Sequence, residues 1–125
     1  MAQQLQNSGL ARLTAELLTF PWWMQWGTGV GAAKTADTVT VVGTTEARVQ
    51  AATVQGTMVA IDDTITFSAT ITALESVAIS EVGIFDSAGT GSPPTGGIMD
   101  VYADFPLKNL NQGDSLNYAI TLTFG

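Results

Sequence analysis

Carboxylates are the side chains with which this chain could do chemistry. It carries 11 Asp and Glu against four Lys and Arg, and it contains no His and no Cys. The general base with a pKa nearest neutrality, thiolate nucleophiles and the Cys or His ligands of zinc are therefore missing. Paired carboxylates hydrolyse glycosides when they flank a cleft, but 11 acids in a small protein form close pairs by chance. The composition therefore predicts no enzymatic activity.

Several acids could supply oxygen ligands to a hard cation such as Ca²⁺. These are Asp62, Asp63, Asp86, Asp100 and Asp104, and their spacing matches no EF-hand loop. Asp100 and Asp104 lie four residues apart on a predicted strand, which separates them by about 13 Å. A single ion cannot bridge that distance, so we predict solvated charges, no metal and no cofactor.

A glycine-rich segment has a sequence similar to that of a phosphate-binding loop. Gly27, Gly29 and Gly31 precede Lys34. The known fingerprints need a strand before the glycines, a capped helix after them and a fixed spacing to Lys or to a downstream acid. The spacing here differs and no helical pattern follows. We therefore expect a mobile loop at residues 27–36.

Three charged residues are candidates for a structural ion pair. Glu46 and Arg48 are two residues apart on one face of a predicted strand, and Glu81 lies within the apolar run 79–85. A buried carboxylate is strongly unfavourable unless a charge or several donors compensate it. We expect Arg48, Arg12 or backbone amides to compensate Glu81, in a structural role.

The tryptophans form another candidate site, since all three lie within five residues just after Phe20. At strand spacing Trp22 and Trp26 share one face and Trp23 takes the other. Three roles stay open: core packing, a subunit interface, in which Trp is enriched, and a stacking platform for sugars.

The N-terminal segment has the period of a helix. Leucines recur at helical spacing before Pro21, which predicts one short amphipathic helix at residues 8–18, with Asn7 or Ser8 as its N-cap. We predict that the apolar face of this helix and the tryptophan segment form an oligomer or shell interface. Its residues are Leu10, Leu13, Leu17, Phe20, Trp22, Trp23 and Trp26.

From residue 22 onward the period is two, which indicates strands. Residues 64–72 and 116–124 alternate apolar with small or polar side chains, and such half-polar strands favour antiparallel pairing. The run 79–85 is apolar on both faces, so we expect it to be central. Further strands are predicted at residues 46–55, 58–61 and 99–105, and weaker candidates are residues 22–26 and 39–42.

Seven or so short strands without intervening helices predict a mainly β fold, an antiparallel β-sandwich or barrel-like domain with one short N-terminal amphipathic helix. Turn-forming residues at 62–63, 86–97 and 109–114 separate these strands. A length of 125 residues fits a single domain. We divide it into a helix and Trp-rich arm at 1–26 and a β-sandwich at 27–125.

Charge and hydropathy limit the partners. The net charge is −7 and the four bases are scattered, which argues against nucleic acid and against an anionic membrane surface. No apolar run is long enough to span a bilayer. We expect a soluble chain made in the cytoplasm, part of whose weakly charged surface is an interface.

Several segments together resemble small virion proteins of tailed bacteriophages. They are the run Ile-Ser-Glu-Val-Gly-Ile-Phe-Asp at 79–86, a Gly-rich hairpin, Tyr-Ala-Asp-Phe at 102–105, and residues 110–116 followed by the terminal strand. Residues 25–29 and 46–49 look like the leading segments of the same family. These segments cover about half of the chain.

The resemblance implies a capsid decoration (cement) protein that bridges capsid subunits on the virion head. It implies a mostly β homo-oligomer, with a trimer favoured, that binds the major capsid protein and is synthesised in the host cytoplasm. It carries no catalytic residue. A tail or baseplate subunit is the alternative within assembly, and a carbohydrate-binding β-sandwich module is the alternative of another class.

Overall fold

The computed structural model describes residues 6–29, 42–57 and 63–124. These residues form one helix and six strands, and all the strand pairs are antiparallel, in the order β5-β4-β1-β2-β3-β6. The result is a nearly closed, barrel-like sheet, which confirms the predicted fold class. The elements are α1 (Asn7–Leu18), β1 (Trp22–Gly27), β2 (Val49–Gly56), β3 (Thr64–Thr72), β4 (Val77–Phe85), β5 (Met99–Leu110) and β6 (Ser115–Thr123).

Helix α1 starts one residue before the predicted position and ends before Pro21, whose ring cannot continue a helix. Its N-cap is Gln6, and no side chain caps this end. Leu10 and Thr14 are its buried residues, one turn apart on the same face. The Trp22 indole N–H donates to the Leu17 carbonyl oxygen at 2.8 Å, which ties the end of the helix to the first strand.

Strand β2 joins the two halves of the sheet. Its residues 49–51 pair with β1, and residues 52–56 pair with β3. The side chains that point inward from both halves make one apolar core, in which Trp22 stands edge-on to Phe67 with ring centroids 5.7 Å apart. The buried residues of this core are Trp22, Met24, Trp26, Ile65, Phe67, Ile71, Ala73, Ile79, Val82 and Ile84.

The tryptophan segment is part of the sheet. Strand β1 lies between β4 and β2, so the division into an arm at 1–26 and a sandwich at 27–125 is wrong. Both faces of this strand are covered, one by the core that contains Met24 and Trp26 and the other by the 86–98 loop, whose Pro94 carbonyl oxygen accepts a hydrogen bond from Gln25. Strand β4 is central as predicted, between β5 and β1.

The remaining predicted elements fall partly outside the described residues. The strand predicted at 58–61, residues 39–41 of the strand predicted at 39–42, and residues 30–36 of the predicted loop all lie outside the described residues. Val42 is described and lies in no strand. Strand β5 runs past Pro106 to Leu110, five residues further than predicted. The turn that follows uses Gly113 at a φ of +93°, a conformation that favours glycine.

Candidate functional site

The outer face of the β1 and β4 half of the sheet carries buried polar side chains. Gln25 alternates with the core residues Met24 and Trp26, and Glu81 precedes the core residue Val82, so both point away from the apolar core. Together with three others they form what we call the loop-anchoring network. Its members are Gln25, Glu46, Arg48, Glu81 and Tyr102.

Glu81 is fully buried and binds the loop that follows β1. Its Oε2 accepts hydrogen bonds from the amides of Gly29 at 2.8 Å and Val42 at 2.6 Å. Its Oε1 accepts one from the Tyr102 hydroxyl at 2.9 Å. Burial raises the pKa of Tyr102, and the hydrogen bond to Glu81 and the negative charge of that residue raise it further. Of the compensating groups predicted for Glu81, backbone amides are therefore the ones observed.

The glycines after β1 are explained by this carboxylate. A Cβ atom at Gly27 or at Gly29 would lie 2.5 Å from Oε2 of Glu81, closer than any side chain can come. The two glycines therefore let the backbone approach Glu81. The segment resembles a phosphate-binding loop only in its sequence. Sequence reasoning missed this role, because the glycines lie more than 50 residues from Glu81 in the sequence.

Arg48 holds a second loop, at residues 86–98. Its Nε donates to Oε1 of Gln25 at 2.8 Å, and its Nη1 donates to the carbonyl oxygens of Ser87 and Gly96, both at 2.9 Å. The guanidinium lies 3.7 Å above the centre of the Phe85 ring, a favourable cation–π contact. Burial lowers the pKa of Arg48, and the negative charge of a neighbouring acid opposes that shift.

Glu46 forms the third part of the network. It accepts hydrogen bonds from the Trp26 indole N–H and the Leu74 amide, both at 2.9 Å, and from the Thr44 hydroxyl. Burial acts to raise the pKa of Glu46, but these hydrogen bonds outweigh it and hold the pKa below its usual value. Glu46 thus joins the end of β1 to the turn between β3 and β4.

The prediction that Glu46, Arg48 and Glu81 pair with one another is therefore wrong. Glu81 is buried as expected, and so are Glu46 and Arg48. Arg48, however, bonds to Gln25 and to carbonyl oxygens. The cause is the fold, which brings three separate loops to these side chains. Each loop supplies backbone groups that bind a buried charge.

The predicted interface residues differ in how far they are exposed to solvent. Leu10, Trp22 and Trp26 are 6%, 8% and 1% exposed and belong to the interior, and Leu17 and Trp23 are half-buried. Leu13 and Phe20 are exposed, at 41% and 51%. Only these two present a large apolar side chain to solvent in the way the prediction requires.

Of the acids considered as metal ligands, Asp86 has a structural role. Asp86 accepts a hydrogen bond from the Ile98 amide at 2.8 Å and closes the base of the 86–98 loop. Burial raises the pKa of Asp100, and the charge of Asp86 adds to that effect. Asp62 lies outside the described residues. Within ranges 6–29, 42–57 and 63–124, no three acidic side chains are grouped so that they could hold a metal ion.

No helix among the described residues is both long and apolar enough to cross a membrane.

No protein family, no curated protein and no solved structure matches this chain. What can be said of its function therefore rests on its own residues. The geometry assigns the network of buried charges to holding loops on a sheet.

Proposed function

We propose that the protein is a non-enzymatic virion structural protein of the capsid decoration type, which binds the major capsid protein as a homo-oligomer. The observation that supports this is the use made of Glu46, Arg48 and Glu81, which lie in the segments that resemble phage virion proteins. All three are buried side chains that fix loops on the sheet through hydrogen bonds to backbone groups. A component that docks on a shell gains from such loops, because ordering a loop on binding is entropically unfavourable.

The docking surface that we propose is the exposed side of α1 together with Phe20, two residues after the helix ends. Leu13 and Phe20 expose large apolar surfaces there. Full burial of such a side chain contributes about 1.5 to 3 kcal/mol, and because only about half of each is exposed, the contact adds about 0.7 to 1.5 kcal/mol per residue. The loss of either contact should therefore weaken binding about threefold to tenfold.

The test compares the double variant Leu13→Ser and Phe20→Ser with wild type for cosedimentation with expanded, tail-free phage heads. The matched control is Leu107→Ser on β5, which removes a side chain that is 59% exposed. We expect the double variant to lose binding and the control to keep it. Equal binding of all three proteins would refute the docking surface, and a wild type that cosediments with tails but not with heads would assign it to the tail instead.

The carbohydrate-binding alternative depends on tryptophan rings that a sugar can reach. Trp22 and Trp26 are interior residues that pack against the core, and Trp26 also donates to Glu46. Two of the three rings are thus turned away from solvent. This burial disfavours a stacking platform.

A further inference from the structure

Within the described part of the chain, the sheet has two edge strands, β5 and β6, which differ in how they are protected against pairing with another chain. Edge strands commonly carry charges, proline or bulges that prevent such pairing. Strand β5 has all three, with Asp104, Pro106, Lys108 and interrupted register against β4. Strand β6 carries neither a charge nor a proline and pairs with β3 without interruption along its whole length.

Strand β6 also belongs to a half of the sheet whose strands carry no charged residue. Strands β2, β3 and β6 contain no Asp, Glu, Lys or Arg, although the chain as a whole has a net charge of −7. Two copies of so acidic a chain repel each other wherever their acids meet. This region is where they could approach without that penalty.

The sequence of β6 is complementary to itself when a second copy runs antiparallel about Ala119. Asn117 then faces Thr121, Leu116 faces Leu122, and Tyr118 faces Ile120, so polar side chains meet polar ones and apolar side chains meet apolar ones. Ala119 faces its own copy at the centre, where its small side chain permits close approach. We propose that β6 is a self-pairing edge that joins two copies of this chain into one continuous sheet.

The pairing of β6 with β3 provides a precedent for these contacts. On their shared outer face the Thr66 and Thr121 hydroxyls lie 2.8 Å apart, and the Thr70 hydroxyl donates to Oδ1 of Asn117 at 2.5 Å. The same kinds of pair recur across the proposed two-fold axis.

The axis relates two copies, so this assembly is a dimer in place of the trimer that the family resemblance implies. It does not depend on the proposed place in the virion.

The first test places a charge at the axis. Ala119→Lys sets two ammonium groups opposite each other in the pair, where like charges are unfavourable. The control is Ser68→Lys, because Ser68 lies opposite Ala119 on β3, is exposed on the same face and adds the same charge away from the edge. Mass is measured by sedimentation equilibrium, and the melting curve of each variant reports whether it is folded.

We expect wild type and Ser68→Lys to have twice the 13.0 kDa mass of one chain and Ala119→Lys to have that of a monomer. A monomeric or trimeric wild type overturns the proposal, and so does a folded Ala119→Lys that stays dimeric.

A second test works even if the lysine variant does not fold. The chain has no Cys, so Ala119→Cys introduces a single thiol beside its own copy at the axis, where Cβ atoms of facing residues are about 5 Å apart. Mild oxidation should give a covalent dimer at low protein concentration, and Ser68→Cys should give at least about tenfold less. Equal yields from the two variants would overturn the pairing about Ala119.

Discussion

Removal of the Glu81 carboxylate tests whether the loop-anchoring network stabilises the fold. Glu81→Ala leaves the amides of Gly29 and Val42 and the hydroxyl of Tyr102 without their acceptor. A buried donor that loses its partner costs about 1 to 3 kcal/mol. These three bonds are only part-buried, so water can reach the donors after the substitution, and the lower value applies. We therefore expect a loss of about 3 kcal/mol in the free energy of unfolding.

Urea denaturation measures this loss. With a slope of about 1.5 kcal/mol per molar urea, the midpoint should fall by about 2 M while the slope stays the same. Hydrogen exchange at the Gly29 and Val42 amides should accelerate, because these two donors are bound by the deleted carboxylate. The matched control is Glu16→Ala, which removes the same charge from an exposed position on α1 and should change stability by less than about 0.5 kcal/mol.

The reasoning fails if Glu81→Ala and Glu16→Ala have the same urea midpoint. It also fails if the midpoint falls but exchange at Gly29 and Val42 is unchanged, because the stabilisation would then come from elsewhere. Tyr102→Phe removes only one of the three hydrogen bonds and should lower the free energy of unfolding by about 1 kcal/mol.

Three further predictions concern other buried polar groups. The Tyr118 hydroxyl is buried without a hydrogen-bond partner among the described residues, so Tyr118→Phe should leave the melting temperature unchanged or raise it, and a clear fall would contradict this. Arg48→Lys should cost about 2 kcal/mol in urea denaturation, because an ammonium cannot reproduce the fork of bonds to carbonyl oxygens, whereas Arg12→Lys on the exposed side of α1 should have little effect. Folding lowers the pKa of Glu46 from 4.5, so the ionised carboxylate stabilises the fold above that pH, and this stabilisation is lost as the pH falls through the folded pKa. The difference in free energy of unfolding between wild type and Glu46→Gln should therefore narrow from pH 7 to pH 3. A constant difference would refute the assignment.

The strands were predictable where alternation was regular. Residues 64–72 were predicted and found as β3, and β6 differs from its prediction by one residue at each end. Alternation reports which side chains are buried, and burial on one face is a local property of a strand. Strand β1 was a weak candidate because its large side chains occupy both faces, so the period of two was hidden.

The partners of the buried charges could not be predicted in the same way. Glu81 bonds to amides 52 and 39 residues away, and Arg48 reaches carbonyl oxygens 39 and 48 residues away. The sequence shows that a buried acid needs donors, but it does not show which loop brings them. Backbone amides in particular leave no signature, because every residue except proline has one.

By itself, the sequence determined that this protein is mainly β and antiparallel, and that Glu81 has to be compensated, because alternation and the penalty for burying a charge are local properties. Only the tertiary structure decided that Trp22 and Trp26 belong to the core, that Gly27 and Gly29 make room for a carboxylate, and that β6 is an edge. These depend on strand order and register, which are set by contacts between distant parts of the chain.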